Sequence, residues 1–332
     1  MTLTHRALGM TGLHVHPLSL GGNVWGWTAD EETSFAVLDA YVAAGGNYLD
    51  TADGYSRWVD GHVGGESETI IGRWLASRGN RDDLVITTKV FGHTEYPGLG
   101  GENIRRACEA SLRRLQTDYL DVYLAHHDDP DVPMEETLAA FTDLVNEGKV
   151  RVIGASNFSA ERLDQARRIS ADNGFAAYAV TQDHYNLMER GYEQRLRPVV
   201  ERYGMVQTPY YALASGFLTG KYRPGGQDAD TARGGAAGRW LRGHASDYLD
   251  GRGTAVLALL DDIAATHRCA VATVALSWLM AQPTIGAVVA SARTVHQLPD
   301  LVAVADVTLS PEEVASLDAA SAGVFRTPGE LD

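Results

Sequence analysis

The feature that most constrains the fold is an alternation of short apolar runs with longer amphipathic segments, which repeats about eight times along the chain. The short runs have the length of strands, and the longer segments have the spacing of helices. Such alternation indicates parallel strands joined by right-handed helical crossovers. Strands are predicted at 17–21, 47–51, 84–90, 119–125, 150–155, 179–182, 205–209 and 285–290.

Helices are predicted between and after these strands, and several carry recognisable end signals. Acidic residues begin the first helix, and glycines follow the ends of the first and fourth helices. The predicted helices are 30–44, 66–78, 102–115, 134–147, 160–173, 193–203 and 294–304, with extra helices at 254–267, 271–281 and 311–320.

Two segments fall outside the repeat. Residues 5–15 are predicted to form an N-terminal hairpin that turns at 10–12 and would cover the bottom of the sheet if the sheet closes into a barrel. The Gly-rich segment 221–253 is predicted to be a long loop. No linker or change in composition divides the chain, so one domain is expected over 1–332.

Two α/β architectures fit the alternation, an open doubly wound sheet and a closed (β/α)8 TIM barrel. The open sheet predicts G-x-G-x-x-G after the first strand, and the glycines of 21–26 have neither that spacing nor a following helix. Polar residues at the ends of strands all along the chain favour closure. We therefore expect a (β/α)8 barrel with an N-terminal β-hairpin and extra C-terminal helices.

Composition narrows the classes of function. The formal net charge of −15 argues against a nucleic-acid partner, because nucleic acids select basic surfaces. The two cysteines have no metal or redox spacing, and no apolar run reaches the ~18 residues of a membrane span. The first residues show no secretory signal. We expect a cytoplasmic protein with a small-molecule substrate and no membrane partner; the sequence does not predict an oligomeric state.

Four chemically active residues follow three consecutive predicted strands: Asp50, Tyr55, Lys89 and His126. The carboxyl ends of barrel strands meet at one mouth, so these side chains are expected to share a pocket. We expect Lys89 to lower the pKa of Tyr55 from about 10 and Asp50 to hold Lys89. Neutral His126 would hydrogen-bond the reacting oxygen. This set suits proton delivery to a carbonyl oxygen while a hydride reaches the carbon.

Each of these residues has a more ordinary explanation when taken singly, since tyrosines usually pack and Lys–Asp pairs usually stabilise structure. Their joint position is what favours function. The run from His126 to Asp129 also resembles a metal-binding sequence, but successive side chains at a strand end are expected to point to opposite sides. We therefore predict no metal.

The later strand ends suit a nicotinamide cofactor. Ser156, Asn157 and Gln182 offer donors and acceptors for a carboxamide, and Tyr210 offers a flat face for stacking. Ser291 and Arg293 come before a predicted helix, where a phosphate group would bind, although a surface arginine at a helix start is nearly as common.

The chain resembles the aldo-keto reductase family over nearly its whole length. The matching stretches run from Asp50 to Tyr55, at Lys89, and over 121–126, 148–157, 182–187 and 210–222. The last of these, with the insertion that follows it, is most similar to bacterial members and to potassium-channel β-subunits. The resemblance implies a (β/α)8 barrel that binds NADPH without a Rossmann motif.

The resemblance also assigns roles. It implies a catalytic tetrad of Asp50, Tyr55, Lys89 and His126, a carboxamide site of Ser156, Asn157 and Gln182, and stacking by Tyr210. The cofactor-binding set that it implies is completed by Leu213, Ser291, Arg293, Gln297 and Asp300, the last beside the adenine.

The chain departs from the family pattern at the cofactor. The family usually has Tyr-Ser-Pro-Leu where this chain has 210–213, and it often has basic residues at the positions of Ser291 and Gln297. Arg293 is then the cation left for a 2′-phosphate. NADPH is the expected cofactor, and NADH is the open alternative.

We expect NAD(P)H-dependent reduction of an aldehyde or ketone with Tyr55 as the proton donor. Trp25, Trp27 and Trp58 are expected to line the substrate side, and 221–253 is expected to fold over the cofactor. One alternative is a redox-sensing module that binds cofactor and regulates a partner with little turnover. The other is an aldolase or lyase in which Lys89 forms a Schiff base.

Overall fold

The computed structural model describes residues 5–223 and 247–323. Its strands, in chain order, are β1 (Arg6–Ala7), β2 (His14–Val15), β3 (Leu18–Gly21), β4 (Tyr48–Asp50), β5 (Val85–Val90), β6 (Gly92–His93), β7 (Tyr96–Pro97), β8 (Leu120–Ala125), β9 (Val150–Ser156), β10 (Val180–Gln182), β11 (Val206–Gln207) and β12 (Val288–Ala290).

Eight of these strands form one parallel sheet in the order β11-β10-β9-β8-β5-β4-β3-β12. The two edges of the sheet meet. The backbone N–H of Gln207 donates to the carbonyl of Thr284 at 2.8 Å, and that of Gly286 donates to the carbonyl of Gln207 at 2.9 Å. All eight predicted strands are found, and the sheet curls into the expected (β/α)8 barrel.

Helices surround the barrel: α1 (Glu31–Ala43), α2 (Glu66–Arg78), α3 (Gly101–Leu115), α4 (Met134–Asn146), α5 (Ala160–Asn173), α6 (Gly191–Arg195), α7 (Arg197–Arg202), α8 (Gly251–His267), α9 (Val271–Met280), α10 (Leu298–Val302) and α11 (Pro311–Ser321). Short 3₁₀ turns cover Arg81–Asp83, Ala214–Thr219, Val295–Gln297 and Ala303–Ala305.

Two predicted helices are wrong in detail. The helix expected at 193–203 is divided into α6 and α7, because Pro198 has no N–H to donate to the carbonyl four residues earlier. The helix expected at 294–304 consists of α10 between two 3₁₀ turns, and Pro299 stands in its first turn. The expected long loop ends earlier than predicted, since α8 begins at Gly251, and its part at 224–246 lies outside the described residues.

The predicted N-terminal hairpin is confirmed and lies across the bottom of the barrel. Strands β1 and β2 pair antiparallel, with Ala7 opposite His14. Leu8 and Val15 belong to one buried apolar cluster with residues in or next to the barrel strands: Tyr48, Val85, Val122, Leu124, Val180, Val206 and Ala287. The bottom is therefore packed, and the loops at the carboxyl ends of the strands surround the other end.

Among the described residues, no single helix is long and apolar enough to span a membrane. The pair α8 and α9 passes the length and composition criteria together, but it is bent by 95°.

The contact between α2 and α3 supplies a test of packing. A Cβ placed on Gly72 in α2 would lie 2.0 Å from the carbonyl oxygen of Arg114 in α3. The higher helix propensity of Ala would stabilise the folded protein by about 1 kcal/mol, whereas the clash of the added methyl group with α3 would destabilise it by about 1–3 kcal/mol or more. We expect Gly72→Ala to lower the free energy of unfolding by about 1–3 kcal/mol in urea denaturation.

The matched control is Gly251→Ala at the start of α8, where an added Cβ would meet nothing within 4 Å. Its stability should equal or slightly exceed that of the parent. A Gly72→Ala variant as stable as the Gly251→Ala variant would contradict the packing argument.

Candidate active site

A cavity of about 670 Å³ opens at the carboxyl ends of the barrel strands. The wall of this cavity brings together residues that follow strands all around the barrel. Fourteen of the sixteen predicted site residues line it: Trp27, Asp50, Tyr55, Trp58, His126, Ser156, Asn157, Gln182, Tyr210, Leu213, Ser291, Arg293, Gln297 and Asp300. The two that do not line it are Lys89 and Trp25.

Lys89 is fully buried behind the cavity wall. Its Nζ donates to Asp50 Oδ1 at 2.8 Å, to the Thr51 carbonyl at 2.9 Å and to the Tyr55 hydroxyl at 2.8 Å. An ammonium group has three N–H donors, and all three are used here. Lys89 does not line the cavity, and its contact with the cavity wall includes the hydrogen bond to Tyr55, which does line it.

Asp50 binds three side chains of the site. Its Oδ1 accepts from Lys89 and, at 3.1 Å, from the Tyr55 hydroxyl, and its Oδ2 accepts from Gln182 Nε2 at 2.7 Å. One hydrogen of the Gln182 amide is thus used within the protein, which fixes the orientation of the group predicted to meet a carboxamide.

The expectation that Lys89 lowers the pKa of Tyr55 is wrong in direction. Burial, followed by the negative charge of Asp50, raises the pKa of Tyr55 well above its ordinary value. The charge of Lys89 is matched by Asp50 at 2.8 Å, so no net cation is left to offset the loss of solvent. Burial also lowers the pKa of Lys89, against the opposing effect of Asp50. Tyr55 is therefore a neutral phenol near pH 7, which is the proton-donating form.

His126 is a neutral imidazole. Burial, with a smaller contribution from the charge of Lys89, lowers the pKa of His126 well below its ordinary value. Its ring lies 6.0 Å from that of Tyr55, at an angle of 70°. Its Nδ1 is buried with no hydrogen-bond partner within 5–223 and 247–323. A neutral ring beside the phenol suits a hydrogen bond to a shared carbonyl oxygen.

The prediction that His126 and His127 point to opposite sides is wrong. Both line the cavity, with ring centroids 5.1 Å apart and planes at 30°. Strand β8 ends at Ala125, so the alternation of the pleat no longer applies to these two residues.

The predicted carboxamide site is a hydrogen-bonded layer beside His126. Ser156 Oγ donates to the Gln182 carbonyl at 2.6 Å, and Asn157 Nδ2 donates to the His126 carbonyl at 2.9 Å. The Tyr210 hydroxyl donates to Asn157 Oδ1 at 2.7 Å. These bonds fix the polar groups before any ligand binds.

Asp183 holds this layer and was missed by sequence reasoning. The backbone of Asn157 is left-handed, with φ of 59°, and its N–H donates to Asp183 Oδ1 at 3.0 Å. Oδ2 of Asp183 is buried with no partner in the described part of the chain, and burial raises the pKa of Asp183 to about 7. The available signal was an acid placed directly after a strand-end glutamine.

The far end of the cavity holds two cations, Arg293 and Lys221. The backbone N–H of Arg293 donates to Gln297 Oε1 at 2.8 Å, and Ser291 Oγ donates to Asn23 Oδ1 at 2.7 Å. Sequence reasoning missed Asn23 and Lys221, although Lys221 was visible as the cation at the start of the predicted long loop. The loop predicted to fold over the cofactor spans 221–253, and its part at 224–246 lies outside the described residues.

Two of the three tryptophans lie where they were predicted. Trp27 and Trp58 line the cavity, with ring centroids 5.7 Å apart and planes at 83°. Trp25 is fully buried in the main core, so its predicted pocket role is wrong. A bridge between Trp25 and Ala29 turns the loop, and the indole packs over Gly22, where a Cβ would lie 2.7 Å from Trp25 Cε3.

The raised pKa of Asp183 gives a test by pH. Its folded pKa is about 7, above the unfolded value, so its contribution to stability is full below about pH 4 and is lost as the pH rises through 7. Asp183→Asn keeps the acceptor for the Asn157 N–H and cannot ionise. We expect the variant's stability relative to the parent to increase by about 2–4 kcal/mol between about pH 4 and pH 8.

Urea denaturation at several pH values measures this difference. Asp172→Asn, at an exposed position in α5, is the matched control and should show no such trend. A stability difference for Asp183→Asn that stays constant with pH would contradict the assignment.

Comparisons with known proteins show the family of the chain. The sequence model of the aldo/keto reductase family matches residues 17–322. The chain is 33% identical to uncharacterized oxidoreductase YrpG of Bacillus subtilis, over 97% of this chain and 96% of that protein. It is 33% identical to a putative voltage-gated potassium channel subunit beta of Schizosaccharomyces pombe, over 94% and 92% of the two chains.

It is also 29% identical to an aryl-alcohol dehydrogenase [NADP(+)] of Phanerodontia chrysosporium, over 95% of this chain and 85% of that protein. The family match covers most of the chain and includes every strand of the barrel. The chain belongs to the aldo/keto reductase family.

Proposed function

We propose that this protein reduces an aldehyde or ketone to an alcohol with NADPH, and that Tyr55 donates the proton. The observation that carries the proposal is the buried Lys89 Nζ, bound at 2.8 Å to both Asp50 and the Tyr55 hydroxyl directly behind a large cavity. Membership of the family and a relative named for an NADP-dependent alcohol dehydrogenase support an oxidoreductase.

In the proposed reaction the cofactor would supply the hydride and the protein would supply the proton. A bound reduced nicotinamide supplies the hydride that forms the new C–H bond at the carbonyl carbon. The electron pair of the C=O bond moves to oxygen, which takes the proton of the Tyr55 O–H. The raised pKa of Tyr55 keeps that proton in place until the oxygen becomes basic. The phenolate that results accepts a hydrogen bond from Lys89 in a dry site, where the charge–charge attraction is strong.

The donor set of the cavity fits a dinucleotide. Ser156, Asn157 and Gln182 place amide and hydroxyl groups at one end, and Lys221 and Arg293 place positive charge at the other. The volume of about 670 Å³ lies within the ~300–1,000 Å³ range of ligand sites. A protein with a net charge of −15 needs such local cations to hold an anionic cofactor.

Tyr55→Phe tests the proposal. The variant removes only the hydroxyl, so kcat for an aromatic aldehyde should fall by about 10²–10⁴-fold, while the Kd for NADPH should change less than about threefold. Oxidation of NADPH is followed by absorbance, and cofactor binding by fluorescence titration.

The control is Tyr119→Phe, since the Tyr119 hydroxyl binds Asp82 at the surface away from the cavity. It should keep the parent's kcat. A Tyr55→Phe variant that turns over normally would refute the role of Tyr55, and one that loses NADPH binding to the same extent would make Tyr55 structural.

Arg293→Gln tests the choice of cofactor. Arg293 is proposed to bind the 2′-phosphate, and removal of a charged hydrogen bond costs about 1.5–3 kcal/mol. The Kd for NADPH should rise by about 10- to 100-fold, whereas the Kd for NADH should change little. Equal losses for the two cofactors, or tighter binding of NADH by the parent, would contradict a 2′-phosphate site.

A second candidate function is a redox-sensing module, favoured by the similarity to the protein named as a channel subunit beta. Such a protein would bind NADPH tightly and turn over every carbonyl compound very slowly. The Schiff-base alternative has less support, because all three N–H donors of Lys89 are bound and its side chain is not on the cavity wall.

A further inference from the structure

Arg57 is a cavity-lining cation that the predicted site residues do not explain. It follows β4, and its guanidinium meets the backbone just after β5. The groups suited to the cofactor follow β9 to β12, on the other half of the barrel mouth. Arg57 instead shares the cavity wall with Trp27 and Trp58, which belong to the predicted substrate side, and with His127.

The loop holds Arg57 in place. Ser56, just before it, is left-handed with φ of 71°, and its Oγ donates to the Trp25 carbonyl at 2.9 Å. This conformation is strained in a residue other than glycine, so the loop geometry is imposed by its anchors. Trp25 thus supports the substrate side from within the core, without lining it.

One edge of the guanidinium is bound and the other is not. Arg57 Nη1 donates to the Gly92 carbonyl at 2.6 Å, and the Gly92 N–H donates to the buried Asp53 carboxylate at 3.1 Å. Within 5–223 and 247–323, Nε and Nη2 of Arg57 donate no hydrogen bond to the protein, and Arg57 forms no ion pair. These two nitrogens form the fork that binds a carboxylate through two parallel hydrogen bonds.

The acids close by are engaged elsewhere. The carboxylates on the described cavity wall are Asp50, which is bound by Lys89 and Gln182, and Asp300, which lies with Arg293 on the cofactor side. Asp128, near the mouth, is held by both Nε and Nη2 of Arg162. The buried Asp53 carboxylate also lies beside Gly92. Among the described residues that line the cavity, Arg57 is the cation of the substrate side, and no salt bridge joins it to an acid, although the whole protein is strongly acidic.

We propose that the substrate is an anionic carbonyl compound whose carboxylate binds Arg57 while its apolar body lies against Trp27 and Trp58. The inference rests on the proposed reductase function and names its substrate class. Arg57 is two residues from Tyr55 on the same wall, and its charge contributes to the lowered pKa of His126. The carboxylate is thus bound close to the reacting carbonyl, and an aromatic aldehyde acid such as 3- or 4-formylbenzoate is the appropriate probe.

The experiment compares 3- and 4-formylbenzoate with their methyl esters, which differ from the acids in charge. For the parent protein with NADPH, kcat/KM should be at least about tenfold higher for the preferred acid than for its ester. Arg57→Met, which keeps an apolar side chain, should lower kcat/KM for the acid by about 10- to 100-fold and for the ester by less than about threefold. Added NaCl should weaken the reaction of the acid alone.

Two further variants separate charge from structure. Arg57→Lys keeps the charge without the fork and should retain an intermediate preference for the acid. Arg168→Met, at a surface arginine that pairs with Asp164, is the matched control and should match the parent on both substrates. Equal losses on acid and ester in Arg57→Met would make Arg57 a support for the Gly92 loop and overturn the inference.

The outcomes also separate this inference from the function on which it rests. A parent protein that reduces the esters as well as the acids would overturn the anionic substrate class and leave the reductase function standing. A parent protein that reduces neither acid nor ester with NADPH or NADH would contradict the reductase function and the inference together.

Discussion

The site depends on one buried ammonium group. Lys89 is fully enclosed, and its ammonium group is bound by three acceptors from the end of β4 and the loop that follows it: Asp50, the Thr51 carbonyl and Tyr55. An unpaired charge at this depth would cost several kcal/mol, so each acceptor stabilises the fold as well as the chemistry. The closed barrel makes this arrangement possible, because it brings the ends of β4 and β5 together over a packed interior.

The same constraint explains the electrostatics of the cavity. Asp50 neutralises Lys89, and burial keeps the Tyr55 phenol protonated and His126 neutral because it raises the pKa of the first and lowers the pKa of the second. The catalytic centre is then nearly neutral in sum. Three further cations line the cavity, with Arg57 on one half of the mouth and Arg293 and Lys221 on the other. Under the proposals above, this division would place an anionic cofactor and an anionic substrate in separate halves of one cavity of an acidic protein.

The barrel could be predicted from the sequence because eight strand signals separated by helical segments are compatible with few chain topologies. The cavity could be predicted because polar residues follow the ends of the strands. The prediction was wrong or incomplete where tertiary contacts determine the environment of a residue. The pKa of Tyr55 depends on burial that no motif records. Trp25 is buried in the core whereas Trp27, two residues later, lines the cavity, and nothing in the sequence distinguishes the two. Asp183 and Arg57 carry no periodic signal, since each acts through a partner distant in sequence, Asn157 and Gly92.

The central claim is that the proton reaching the carbonyl oxygen comes from the phenol held by Lys89. Single-turnover reduction of benzaldehyde by the NADPH complex, followed by absorbance in H₂O and in D₂O, tests it most directly, with a viscosity-matched H₂O sample as the control. If the Tyr55 O–H proton moves in the transition state, the rate constant is lower in D₂O than in the viscosity-matched H₂O. Equal rate constants in the two solvents would contradict a proton in flight from Tyr55.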